Sequence, residues 1–194
     1  MRKLKQNGFL VQGLADTNNV VKKFNYFGIN AYHQYPLSTV NDSFCKKLTE
    51  EQQVKKEKNG FRFLEFITDE KLLEKYLNRC LDLGIKIRIL FIESDYSYEE
   101  WSGMIPETIL LGYEYCPFPV DEQIISDLDW YPPFSIFRRN LNKNGLFDTY
   151  DEAFEFKNTY DLACENKEIG DGKADAFICR VSELDIQKAR EWLL

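Results

Sequence analysis

The sequence holds one histidine, His33. A lone imidazole cannot build a histidine-based metal site. The single Ser–His or Cys–His pair it could form has no G-x-S-x-G elbow or other recognisable setting around it. No Walker loop and no G-x-G-x-x-G is present, which removes the usual glycine cradles for phosphate and dinucleotide. The run GDGK at 170–173 precedes a strand-like segment instead of opening a helix, and reads as a turn. DGKAD is too short for a calcium loop and lacks its terminal glutamate. Neither a metal nor a cofactor is expected.

The five cysteines, Cys45, Cys80, Cys116, Cys164 and Cys179, are odd in number and form no C-x-x-C pair. This argues against a disulfide framework and a thiolate zinc site, and for reduced thiols. No apolar run approaches the ~18–20 residues of a membrane span. The longest, IRILFI at 87–92, has the length of a strand. The basic start MRKLKQNGFLVQGLAD has no apolar core of signal-peptide length, so the expected location is the cytoplasm, with no membrane contact. Basic charge is also short: 32 acids stand against 25 bases, a net charge of −7. Direct nucleic-acid binding needs the opposite balance. A basic protein partner, steered electrostatically, fits this one.

What is plentiful is apolar and aromatic mass. A hydrophobic fraction of 44%, with 15 Phe and 11 Tyr, excludes intrinsic disorder. A chain of 194 residues suits one core. The expected organisation is a single α+β domain over 1–194, with an aromatic strand-rich section at 1–45, a charged joint at 46–60 and a main body at 61–194. In the first section, GFLVQGL and VVKKFNYFGI flank the turn-rich ADTNN, a hairpin pattern, and NAYHQYP follows as an aromatic strand or loop.

The fold class predicted is α+β, a mixed sheet with helices packed on it, around a central β-α-β unit. FRFLEFI at 61–67 reads as a strand. Thr68 or Asp69 can cap a helix whose apolar positions Leu72, Leu73, Tyr76, Leu77, Cys80 and Leu81 form one stripe at helical period. Gly84 is its expected stop. IKIRILFIES then returns as a strand, with Ile87, Ile89 and Phe91 on one face and Arg88, Leu90 and Ile92 on the other. Further on, ETILLGYEY reads as a strand and PVDEQIISDL as a short helix. In LNKNGLFDTYDEAFEF, Asn144-Gly145 marks a turn and Thr149 with Glu152 a capping box. Ala153, Phe156, Tyr160 and Ala163 give the buried stripe of the helix that follows. AFICRV reads as a strand, and a final helix capped by Ser182 closes the pattern.

Two segments mix carboxylates with large rings. ESDYSYEEWSG, beyond the end of the second β-α-β strand, carries Glu93, Asp95, Tyr96, Tyr98, Glu99, Glu100 and Trp101. SDLDWYPPFSIF carries Asp127, Asp129, Trp130 and Tyr131. Tyr and Trp are favoured interface anchors, so these residues are the candidate partner-binding set. No catalytic set emerges. The enzymatic alternative, a small-ligand or carboxylate-dependent hydrolytic site such as Glu93 with Glu114 beside an aromatic pocket, rests on spacing alone.

From 110 to 181, the order LLGYEY, IISDL, LNKNGLFDTYDEAFEF and AFICRV resembles small acidic immunity proteins of bacterial polymorphic toxin systems. The resemblance implies a cytosolic, non-enzymatic inhibitor that neutralises a cognate toxin domain by occlusion. It brings no catalytic residues and no contact residues with it. A defence regulator would use the same binding logic with a different partner.

Overall fold

The computed structural model describes residues 4–14, 34–35, 67–82, 87–95, 101–105, 107–116, 136–137, 139–168 and 177–193. Their strands are β1 (Lys5–Leu14), β2 (Gln34–Tyr35), β3 (Ile87–Ser94), β4 (Thr108–Cys116) and β5 (Phe177–Leu184). Their helices are α1 (Glu70–Asp82), α2 (Tyr150–Glu165) and α3 (Ile186–Leu193). The strands form one sheet in the order β2-β1-β3-β5-β4. The fold is α+β, with helices packed on the sheet. The partner of β1 expected at 20–29, the charged joint at 46–60, the strand at 61–66, Gly84 and the helix within 119–128 lie outside the described residues.

The two middle strands are the most apolar. In β3, Ile89, Leu90, Phe91 and Ile92 are all buried, so both faces are covered. β5 is likewise buried on both faces along nearly its whole length. Continuous apolar runs belong in the centre of a sheet, and these two strands lie side by side there.

Every ladder among the named strands is antiparallel. The parallel relation that the β-α-β pattern predicts exists only across an intervening strand. Ile67, which leads into α1, bridges Phe9 in antiparallel sense, with N···O distances of 3.0 and 2.8 Å in the two directions. Phe9 is in turn antiparallel to Phe91 of β3. The chain before α1 and the strand after it therefore run the same way, with β1 between them. Sequence adjacency had placed them side by side; β1 takes the intervening place.

α1 starts where the sequence places it, and Asp69 rather than Thr68 is its cap: Leu72 N donates to Asp69 Oδ1 at 2.8 Å. Leu73 and Leu77 are buried, and Leu72 and Leu81 are half-buried. The side chains of Tyr76 and Cys80 lie outside the described residues. α1 lies against β1.

α2 follows its local signals closely. Thr149 Oγ1 accepts from Glu152 N, and the Glu152 carboxylate accepts from Thr149 N, so both halves of the capping box are made. Ala153, Phe156, Ala163 and Cys164 are buried against Tyr115, Phe137, Phe147 and Ile178. That cluster fills the face of the sheet under α2. Leu90, Ile92, Leu146, Phe177, Cys179 and Val181 fill the other face.

The segment 141–147 closes part of the β4 edge. Tyr113 and Phe147 exchange backbone hydrogen bonds at 2.8 and 2.9 Å. Asn142 Oδ1 accepts from Asn144 N at 2.8 Å, and Gly145 N donates to Asn142 O at 2.9 Å, making the Asn-Gly turn. Gly145 sits at φ 74°, where a glycine costs least. β4 bulges at Leu111, whose carbonyl accepts from Asn142 Nδ2 at 2.8 Å. A β-carbon on the neighbouring Gly112 would lie 2.6 Å from Phe147 O and 2.7 Å from Leu146 Cβ. The absence of a side chain there is what lets the turn reach the strand. Leu146 then enters one core cluster and Phe147 the other.

α3 departs from its expected cap. Ser182 is inside β5, paired with Phe91 on one side and Leu110 on the other. Asp185 does the capping, accepting from Gln187 N at 2.8 Å and Lys188 N at 3.3 Å. A carboxylate just past the ladder satisfies the free amides, whereas Ser182 has its backbone committed to two strands.

Candidate interaction surface

Of the proposed partner-binding residues, Glu93, Asp95 and Trp101 are described. Tyr96, Tyr98, Glu99, Glu100, Asp127, Asp129, Trp130 and Tyr131 lie outside the described residues. The three that are described face inward or are engaged by the fold.

Glu93 and Arg180 are opposite one another in the β3–β5 ladder, and Arg180 Nη1 donates to Glu93 Oε2 at 2.8 Å. Their side chains are 16% and 40% exposed, so the pair sits at a rim. Such a pair contributes about 1 kcal/mol or less once water screens it. Asp95 extends the ladder with its side chain: Oδ1 accepts from Ile178 N at 3.0 Å. Its Oδ2 accepts from Tyr150 Oη at 3.4 Å, a long bond, which links the end of β3 to the first turn of α2. Tyr150 also meets Tyr113 edge-on, ring centroids 6.2 Å apart.

Trp101 is 4% exposed. Its ring stands edge-on to Phe9 at 4.8 Å, and Phe9 lies 4.8 Å from Phe91. Its backbone N–H donates to Gln6 O at 2.8 Å. The ring closes the core over β1 and β3 and offers no exposed face, so the expectation of a surface anchor does not hold for this residue's placement.

The register also separates Glu93 from Glu114. Glu93 is opposite Arg180 while Glu114 is opposite Cys179. Neighbouring residues of a strand point to opposite faces, so the two carboxylates lie on different sides of the sheet and cannot flank one substrate. On its own side, Glu114 joins a buried row with Cys179 and Ser94, directly opposed across β4, β5 and β3. Burial, with Glu114 and Asp95 adding repulsion, pushes the Cys179 thiol well above its ordinary pKa. Thiol nucleophilicity needs the thiolate, the form that this setting disfavours. Among the described residues no group of three His, Cys, Asp or Glu is gathered as for a metal ion. Among them, too, no helix is long and apolar enough to cross a membrane.

The surface that the sequence passed over is the outer side of α2. Phe154 and Leu162 are 37% and 57% exposed. They lie at i and i+8, with Asn158 between them, on the side opposite Ala153, Phe156 and Ala163. Asp151, Glu155 and Glu165 are exposed around them. Tyr150 stacks on Phe154, centroids 6.1 Å apart and planes 13° apart, and fixes that ring on the surface. The signal was present: Phe154 and Leu162 fall outside the helix's own apolar stripe. Arg180 and Tyr150, which tie Glu93 and Asp95 down, gave no signal beyond membership in a strand and a cap. Set against protein-family models, curated proteins and solved structures, the chain matches none.

Proposed function

We propose that this protein is a non-enzymatic inhibitor of the immunity type, which binds a basic protein partner in the cytoplasm and neutralises a toxin domain by covering its active site. The observation that carries this reading is where the charge is. Residues 148–168, on and around α2, hold seven carboxylates and two lysines, a local net of −5. One of those lysines, Lys157, is engaged by the partly buried Asp161 one turn on. Helix stability does not account for the excess. Acids in the first turn favour the helix dipole, but α2 has no base in its last turn, and Glu165 there opposes the dipole. An acidic helix surface attracts a cationic partner at long range, and the attraction weakens with salt.

The test is co-expression with the product of the adjacent large open reading frame. Rescue of growth, with a complex recovered at low salt and depleted at high salt, is the expected result. A toxic neighbour that is neither bound nor neutralised ends the proposal.

A further inference from the structure

We infer that the outward side of α2 is the docking surface, and that it receives a Lys/Arg-bearing protein face with an apolar contact between the bases. This rests on the reading above and gives it an address. Single exposed apolar residues are ordinary. Here two share one helix side, about 12 Å apart at 1.5 Å per residue. Phe154 is held by Tyr150, so its ring is placed before any partner arrives. Tyr150 is itself tied to the sheet through Asp95 and Tyr113. A side chain fixed in advance loses less freedom on binding. Asp151 and Glu155 border Phe154, and Glu165 borders Leu162, all exposed.

Apolar anchors ringed by carboxylates match a cationic face with a small apolar centre. A second copy of this chain does not fit. A two-fold contact through α2 would set the same acids against one another. The β4 edge beside Ile109 and Leu110, also exposed, has no comparable charge to say what would cover it.

The probe is a synthetic amphipathic Lys/Leu helical peptide, followed by fluorescence anisotropy, with a Glu/Leu peptide of equal length as control. Phe154→Ser with Leu162→Ser should weaken Lys/Leu binding at least about tenfold, while the protein stays folded by circular dichroism, because the pair gives up the Tyr150–Phe154 contact but no core residue. Asp151→Lys with Glu155→Lys should weaken it further and flatten its salt dependence. The Glu/Leu peptide should not bind. Amide chemical-shift changes on adding the Lys/Leu peptide should map to 150–166. Binding that survives both double variants, or shifts that map elsewhere, overturns the docking surface. Neutralisation of the co-expressed toxin by the same variants would then show that the inhibitor reading stands without it; loss of neutralisation in wild-type protein would remove both.

Discussion

Two stretches of this chain share a vocabulary of acids and rings and use it in opposite directions. Of the described residues of 93–101, Glu93 turns to Arg180, Asp95 to the β5 backbone and Trp101 to Phe9. Along 150–165 such groups turn outward, with Phe154 and Leu162 exposed among carboxylates. Composition is nearly the same; periodicity and neighbours differ. In a helix with a complete apolar stripe, any further apolar residue has nowhere to go but the surface. Beyond the end of a strand no such period exists, and a tryptophan goes to the nearest unfilled core.

The largest effect that would break this contrast is at Trp101. Trp101→Ala should cost about 3–5 kcal/mol of stability, read as a fall in thermal midpoint of roughly 10 °C for a chain of this size. A shift within 2 °C would place the ring at the surface, and the two stretches would no longer differ.

Gly112 comes next. Gly112→Ala forces a β-carbon against Phe147 O at a backbone φ of 146°. It should cost about 1–3 kcal/mol by urea unfolding and detach the turn at 142–147. Retained protection of the Tyr113 and Phe147 amides from hydrogen exchange would contradict that.

Thr149→Ala should cost on the order of 1 kcal/mol through the lost cap. Gly145→Ala should cost a similar amount through its positive φ. Both should leave the outer side of α2 in place. Equal midpoints in variant and wild type would mean that α2 does not depend on its local signals.

The smallest effect is a slope. The Cys179 thiol is pushed up by burial, so the folded state keeps its proton longer than the unfolded chain does. Its contribution to stability is whole below the unfolded thiol pKa of about 8.5, and is lost progressively as pH rises above it. Chemical denaturation between pH 8 and 10 should show a steeper loss for wild type than for Cys179→Ala. Parallel curves would mean that the thiol ionises in the folded protein.

Legibility followed range. The Asn-Gly turn, the capping box and the buried stripe of α2 were readable because each depends on residues within four positions of one another. β3 and β5 were readable as strands from their apolar runs. Their pairing was not, because Ile89 and Leu184 meet across about half of the chain and nothing local names the partner. Ser182 shows the same limit: its composition fits a cap, but the ladder on both sides of it had already claimed the backbone. The outward Phe154 and Leu162 were legible too, as apolar residues outside the buried stripe of α2. Glu93 and Asp95 were identified as residues of interest for their charge, and the fold uses that charge in pairing.

The position of β5 governs when this protein can acquire its shape during synthesis. β3 and β4 lie on either side of it and are made first, yet they touch each other nowhere in the ladder order. A nascent chain that has not reached Phe177 holds two apolar strands with an empty slot between them. Local contacts such as the cap of α2 can form early, but the sheet must wait for its last strand to thread into the middle. Pairing over so long a separation is slow. Until then the facing edges of β3 and β4 remain open to other chains. The interval between translating Cys116 and translating Leu184 is therefore the period in which β3 and β4 wait for the strand that joins them.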